Sequence, residues 1–202
     1  MGTSSIIPEK TDKFEGIITF KKETLSDTSF FEYFIKDEFV RINKLSKNRK
    51  LLTYKIINMK TGTVSIIKPS KKLYIQKPVA KTNIENAQDL DNVEIEKRDN
   101  FKYIGKYKCY QWIVTDKKKK TVITYWMSDC SYDYYYKLIS FSSDKFYKYF
   151  RQMPKLNGTI PLICEERSLL RTKRMTFSAI SIVEKKIKDE NFKIPSGYSI
   201  FE

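Results

Sequence analysis

Short segments in which apolar and polar residues alternate make up most of the chain, and residues typical of turns separate them. This alternation predicts β-strands with one face buried, because successive side chains of a strand point to opposite faces. The predicted strands are 14–20, 29–35, 39–43, 51–58, 63–67, 73–75, 101–104, 107–115, 121–128, 160–167 and 174–186. Short turns join most neighbouring strands, so we expect an antiparallel meander.

Two stretches interrupt this pattern. Residues 77–100 are polar, acidic for this chain and weakly periodic, which predicts a connection with at most one short helical turn. Within 129–159, Ser143 and Asp144 can cap a helix that Pro154 ends. The apolar face of this helix would consist of Phe146, Tyr149, Phe150 and Met153.

These segments predict one domain. We expect a flexible N-terminal segment over 1–13 and a single β domain over 14–202, with 129–159 as an aromatic helical insertion. The expected fold class is mainly β with minor α. No apolar run approaches the roughly 20 residues of a membrane-spanning helix, and the first residues show neither the basic nor the apolar part of a leader peptide.

The hairpin 107–128 carries large apolar side chains on both faces. Tyr110 and Trp112 share one face of its first strand, whereas Trp126 lies on the face of its strand opposite to Tyr125. A sheet of this composition is covered on both sides. We expect the helix to form one cover, and sheet curvature, a partner or a bound lipid to form the other.

Aromatic residues are concentrated around the insertion: 11 of the 29 in the chain lie between Tyr125 and Phe150. Two interpretations remain open. The insertion packs over the sheet as ordinary core, or it guards a cavity for an apolar ligand or a membrane contact. The residues predicted to line or gate such a cavity are Tyr110, Trp112, Trp126, Tyr134, Phe146 and Phe150.

The composition argues against most enzyme classes. The chain has no histidine, which removes histidine-based nucleophile activation and histidine-ligated zinc. The carboxylate pairs Asp37-Glu38 and Glu165-Glu166 consist of adjacent residues, which point to opposite faces of a strand and cannot act as a dyad. Glycines occur singly, so no phosphate-binding loop is present. We therefore expect no catalytic residue, no metal and no cofactor.

A formal net charge of +15 favours contact with anionic surfaces. The only lysine block, Lys117 to Lys120, falls at a predicted turn, and the other lysines are scattered, which also fits ordinary solvated turns. No nucleic-acid-binding motif occurs, so we do not expect a nucleic-acid partner, and we expect a monomer.

Cys109 and Cys130 flank the predicted hairpin. If Lys117–Lys119 formed its tip, Cys109 would lie opposite Met127, and Cys130 would lie three residues further along. A disulfide would then need a bulge or a turn, and buried free thiols are the alternative.

Several segments together resemble a known family. They are Phe14-Glu15-Gly16-Ile17-Ile18, the segment 33–42, Ile104 to Cys109, Tyr125-Trp126-Met127-Ser128, Ile160-Pro161-Leu162 and Asn191 to Tyr198. The series resembles an uncharacterised domain family of exported Bacteroidetes proteins, itself similar to the LolA-like lipoprotein-carrier superfamily. The resemblance implies a strongly curved antiparallel half-barrel whose concave face is plugged by a helix-containing flap. It also implies a periplasmic or cell-envelope protein whose leader peptide has been removed.

The function expected from these observations is non-enzymatic. The chain would bind an apolar ligand, a lipid or a lipoprotein acyl chain, in a cavity of the curved sheet. The alternative is a structural or interaction protein of the cell envelope, whose basic surface contacts anionic lipid or a protein partner without any ligand cavity.

Overall fold

The computed structural model describes residues 14–78, 92–128, 149, 153 and 159–201. Within these residues the backbone forms twelve strands and two short 3-10 turns, Pro69–Lys71 and Asp189–Phe192. The strands are β1 (Gly16–Thr24), β2 (Thr28–Lys36), β3 (Phe39–Leu45), β4 (Leu51–Asn58), β5 (Thr63–Lys68), β6 (Leu73–Pro78), β7 (Val93–Ile104), β8 (Tyr107–Asp116), β9 (Thr121–Ser128), β10 (Ile160–Ser168), β11 (Lys173–Glu184) and β12 (Ser199–Ile200).

All twelve strands belong to one sheet, in the order β12-β6-β5-β4-β3-β2-β1-β11-β10-β9-β8-β7. Every neighbouring pair is antiparallel except β12 and β6, which are parallel. The sheet thus consists of two meanders, β1–β6 and β7–β11, joined where β1 pairs with β11. It is not closed into a barrel, because β7 and β12 form its two edges. The prediction of a mainly β chain built on an antiparallel sheet is confirmed.

Strand β7 differs most from the predicted boundaries. Strand β7 begins at Val93, inside the stretch expected to be a connection, and runs to Ile104 with a bulge between Lys97 and Phe101. The bulge and the charges of Glu94 and Glu96 obscure its alternation in the sequence. Both features suit an edge strand, which tolerates charged side chains and bulges more readily than a central strand does.

The predicted N-terminal segment 1–13 lies outside the described residues. So does the predicted helical insertion 129–159, apart from Tyr149, Met153 and Thr159. Tyr149 and Met153 are both buried in the same hydrophobic core as the sheet residues. The helix itself stays a prediction.

Most of the main core lies on one face of the sheet, called here the inner face, although Cys109 of the core and Trp126 packed against it lie on the opposite face of β8 and β9. It spans both meanders; its most deeply buried side chains include Ile18, Phe20, Val40, Val114, Tyr125 and Met127. A second cluster of Tyr54, Ile56 and Ile67 lies on the opposite, outer face of β4 and β5. Phe192 and Tyr198 pack against this second cluster, so the C-terminal segment 185–201 covers the outer face of the first meander.

Side-chain contacts join the β7–β8 turn to the end of β11. The Lys106 ammonium in the β7–β8 turn lies 2.9 Å from the Glu184 carboxylate at the end of β11, and the Tyr107 hydroxyl donates to the same oxygen. These contacts connect β8 to β11 past the ends of β9 and β10, the two strands that lie between them.

Candidate functional site

The candidate site is a patch at the β7–β8 edge of the inner face. Three cross-strand pairs build it: Lys97 opposite Trp112, Phe101 opposite Tyr110, and Tyr103 opposite Lys108. We call these six residues the rim patch. They share one face because alternate residues of each strand point the same way, and the four-residue step from Lys97 to Phe101 across the bulge preserves that alternation.

The aromatic side chains of the rim patch pass gradually from the core to the solvent. Trp112 is buried in the main core beside Tyr125, and Tyr110 is half-buried. Phe101 and Tyr103 are 54% and 66% exposed, with their ring centroids 6.2 Å apart in an edge-to-face arrangement. A row of aromatic residues, called here the aromatic path, therefore follows this face of the sheet from water to the main core.

Two ammonium groups lie over this path. The Lys108 ammonium is 4.4 Å from the Phe101 ring centroid and 5.1 Å from that of Tyr110, and the Lys97 ammonium is 5.3 Å from the Tyr110 centroid. Such contacts hold the cations beside the ring faces by cation–π attraction. The rim patch thus combines exposed aromatic surface with localised positive charge.

Hydrogen bonds fix Tyr149 at the other end of β8. Its hydroxyl donates to the carboxylate of Asp116, and the Lys119 ammonium donates to the same hydroxyl at 3.2 Å. The Asp116 carboxylate also accepts the Lys119 backbone N–H at 2.8 Å. Burial by itself would raise the pKa of Asp116, but these hydrogen bonds outweigh it and hold the pKa below its ordinary value.

The structure separates the residues that the sequence placed together. Tyr110 and Trp112 share the inner face, but Trp126 lies opposite Gln111 and therefore on the outer face. Tyr134, Phe146 and Phe150 lie outside the described residues. Of the six predicted residues, only the first two belong to the rim patch.

On the outer face, Trp126 contacts a lysine. The Lys102 ammonium lies 4.0 Å from the Trp126 ring, and burial lowers the pKa of Lys102, although the carboxylate of Glu165 partly offsets this effect. Lys102 remains half-exposed on an edge strand and lines no described cavity, so this contact does not provide an enclosed amine nucleophile.

Sequence reasoning missed Lys97, Phe101, Tyr103 and Lys108. A signal for three of them exists in the sequence. The alternation in Phe101-Lys102-Tyr103 and in Lys108-Cys109-Tyr110 places Phe101, Tyr103 and Lys108 on the same face as Trp112. Lys97 could not be assigned to the same face, because the bulge between it and Phe101 is set by strand pairing.

Cys109 lies opposite Ser128, one position later than predicted. The reason is that four residues, Lys117 to Lys120, form the turn. Cys109 is a buried thiol outside any disulfide, which is the alternative to the predicted bridge with Cys130; Cys130 itself lies outside the described residues. Burial raises the pKa of the Cys164 thiol well above its ordinary value, which makes that thiol a poor nucleophile.

Within the described ranges, no group of three or more histidine, cysteine or carboxylate side chains could hold a metal ion. The described residues also contain no helix long and apolar enough to span a membrane.

The fold has relatives among solved structures. An uncharacterized conserved protein from Thermus thermophilus is similar with a TM-score of 0.58 and 6% identity, over 96% of this chain and 93% of that chain. A DUF1329 family protein from Desulfovibrio piger gives a TM-score of 0.38 with 10% identity, over 91% and 92% of the two chains. A domain from Vibrio parahaemolyticus described in terms of outer membrane lipoprotein sorting gives 0.33 with 7% identity, over 88% and 87%. The first likeness shows the fold alone, and the other two are too distant to support an argument.

No curated protein matches the chain. The family model described as Domain of unknown function (DUF4412) matches residues 14–198. This match runs from the residues just before β1 to the C-terminal segment that covers the outer face. The chain therefore belongs to the DUF4412 family.

Proposed function

We propose that the protein is a non-enzymatic module of the cell envelope that binds an amphiphile, a lipid or a lipoprotein acyl chain, at the rim patch. The observation that carries the proposal is the aromatic path from exposed Tyr103 and Phe101 through Tyr110 to buried Trp112. The placement in the envelope follows the family resemblance described above.

The aromatic path suits the apolar part of such a ligand. An acyl chain laid along it would remove the exposed ring surface of Phe101 and Tyr103 from water, which is favourable by about 25 cal/mol per Å² of apolar surface. Large exposed apolar groups that adjoin one another are typical of interaction sites rather than of ordinary surface.

Lys97 and Lys108 suit the polar headgroup of such a ligand. Lys97 and Lys108 hold their ammonium groups 4.4 to 5.3 Å from the ring centroids, so a phosphate or carboxylate headgroup would meet positive charge while its chain lay on the aromatic surface. The net charge of +15 would further raise the local concentration of anionic amphiphiles.

The proposal includes a cover over the inner face. Tyr149 and Met153 are four residues apart and both buried in the main core, which is the spacing of neighbours along one side of a helix. A helical insertion over 129–159, forming the plug of a half-barrel, would lie next to the ligand path.

A second function is favoured by the filling of the main core. The inner face under Trp112 is occupied by the chain's own side chains, among them Tyr125 and Met127, which are 1% and 2% exposed. The rim patch would then dock on an anionic membrane with no acyl chain leaving the bilayer.

The experiment measures displacement of a fluorescent fatty acid and co-purified lipid by native mass spectrometry. The rim variant carries Phe101→Ser and Tyr103→Ser. Its matched control carries Leu25→Ser and Leu170→Ser, which change two other exposed apolar residues, 82% and 89% exposed. We expect at least a tenfold loss of fatty-acid affinity in the rim variant and little change in the control.

Vesicle binding without fatty-acid binding would favour the second function. Absence of both activities in the native chain, or equal losses in the two variants, would overturn the assignment of the rim patch.

A further inference from the structure

We infer that the outer face carries a second, independent site, which takes a small saccharide. A cleft of about 270 Å³ lies between strands β3–β6 and the C-terminal segment. It is on the opposite face and in the other meander from the rim patch, so it goes beyond the function proposed above.

Cross-strand pairing builds the floor of the cleft as two rows. In one row Phe39, Asn58 and Thr63 lie side by side on β3, β4 and β5. The neighbouring row consists of Ile56, Ser65 and Gln76 on β4, β5 and β6. The arrangement depends on the register of central strands, so the hydrogen-bonding side chains are held on a rigid surface.

The wall of the cleft is the C-terminal segment, which contributes Phe192, Lys193 and Ile194. The rings of Phe39 and Phe192 lie 5.7 Å apart and tilted by 35°. Phe39 is 37% exposed, so an aromatic surface borders the polar floor.

Hydrogen-bonding capacity in the cleft is unused. Within the described chain, neither the Ser65 hydroxyl nor the Gln76 amide has a protein hydrogen-bond partner, although the Ser65 residue is only 7% exposed. The Asn58 carbonyl oxygen accepts the backbone N–H groups of Lys60 and Thr61, which leaves its NH₂ group as a donor.

The chemistry of this lining selects the ligand class. No carboxylate lines the cleft, and its charge is limited to the exposed Lys193 at the side, so a multiply charged ligand lacks a complement. A sugar ring presents hydroxyl groups to amides and hydroxyls on one side and C–H groups to an aromatic ring on the other. The volume lies at the small end of ligand sites, which fits one ring rather than a lipid chain.

The experiment uses the full chain and a panel of methyl glycosides of glucose, galactose, mannose and N-acetylglucosamine as probes. Saturation-transfer NMR detects binding, and backbone amide shifts locate it. We expect at least one probe to bind and to shift the amides of Ser65 and Gln76. Gln76→Ala and Ser65→Ala should each weaken binding at least fivefold, with melting temperatures confirming that both variants fold.

The matched control is Gln111→Ala, which removes an amide from the outer face of the other meander and should leave binding unchanged. The inference is overturned if no glycoside binds, or if a bound glycoside shifts amides elsewhere. Rim variants should bind glycosides normally, so failure of either site can be recognised separately.

Discussion

Asp116 shows at the residue scale how one side chain links the sheet to the insertion. The residue is 5% exposed, and its carboxylate receives hydrogen bonds from the Tyr149 hydroxyl and the Lys119 backbone N–H. A buried carboxylate is costly unless its oxygens are hydrogen-bonded. The hydrogen bond from the Tyr149 hydroxyl therefore stabilises the buried Asp116 and also helps to hold Tyr149 in the core.

Removing the Tyr149 hydroxyl tests its hydrogen bond to Asp116. Tyr149→Phe keeps the ring but leaves the buried Asp116 oxygen short of a donor, which should cost about 1–3 kcal/mol of unfolding free energy. Tyr107→Phe is the control, because its hydroxyl serves the exposed Glu184, and we expect a change below about 0.5 kcal/mol. Urea denaturation measures both; equal losses would contradict the role assigned to Tyr149.

The pKa of Asp116 leads to a pH prediction. Its pKa in the folded chain is below the ordinary value of 3.8, so folding favours the ionised form. The resulting stability is fully present above the unfolded-state pKa and is lost as the pH falls through the folded-state pKa. The stability difference between the native chain and Asp116→Asn should therefore shrink between about pH 5 and about pH 2. Thermal melts across this pH range measure the difference. A stability difference that grew on acidification would contradict the lowered pKa of Asp116.

Gly16 sits where the two meanders join. A Cβ atom at this position would lie 2.2 Å from the carbonyl oxygen of Val183 on the neighbouring strand, and backbone atoms cannot move aside cheaply. Gly16→Ala should therefore cost about 1–3 kcal/mol. Ser26→Ala, at an exposed loop position, should stay within about 0.5 kcal/mol. A fully stable Gly16→Ala chain would show that the β1–β11 contact can relax.

At the element scale, the C-terminal segment acts as a strap across the outer face. Hydrogen bonds hold its backbone at both ends. At one end the Ile187 N–H donates to the Glu15 carboxylate at 2.7 Å. At the other end the Ser199 and Phe201 N–H groups donate to carbonyls of β6 and its preceding turn. Between these points, the Arg41 guanidinium donates to the carbonyl of Asn191.

Phe192 and Tyr198 are the strap side chains that pack against the second cluster. Phe192→Ala should loosen the segment, since few other side chains hold it to the second cluster. Hydrogen exchange should then accelerate at the amides of Ser199 and Phe201 and stay unchanged in β1. Ile200→Ala, which changes a 53% exposed side chain of the same segment, is the control. Unchanged exchange in Phe192→Ala would mean that backbone hydrogen bonds alone hold the strap.

Elements with clear alternation were predictable, and those without it were not. The strands 51–58, 63–68 and 121–128 follow their apolar pattern closely, because they lie inside the sheet and pack against a core on one face, or on both faces for β4 and β5. Strand β7 was missed in its first half because an edge strand needs no such pattern. The pairing of β12 was equally hidden, since two exposed residues carry no periodic signal.

The whole molecule is one sheet whose two meanders share a core and whose net charge is strongly positive. The charge acts at long range on any anionic surface, whereas the rim patch acts only on contact. Raising the salt concentration therefore tests how much the net charge contributes to membrane binding, whereas substitutions in the rim patch test how much direct contact contributes.

Binding to vesicles of phosphatidylglycerol and phosphatidylcholine should weaken as salt rises, because the Debye length shrinks from about 10 Å at 0.1 M to about 3 Å at 1 M. Lys97→Gln with Lys108→Gln should lower the affinity by about 2 kcal/mol, since each basic residue near an anionic surface contributes about 1 kcal/mol. Lys60→Gln with Lys71→Gln has the same net charge and should bind nearly as well as the native chain. Sedimentation measures all three, and equal losses in the two pairs would show that only net charge matters.

The sequence by itself determined the local structure: alternation set most strands, turn residues set their ends, and the lack of histidine limited the chemistry. It also placed Tyr110 and Trp112 on one face of a strand, because the faces of a strand follow from counting residues, whereas only the observed register of β8 and β9 put Trp126 on the opposite face. Tertiary structure alone decided which strands became edges, that the C-terminal segment crosses the outer face, and that Lys97 and Phe101 meet β8 across a bulge. Those outcomes depend on pairing between residues far apart in the chain, and no local pattern records the partner of a strand.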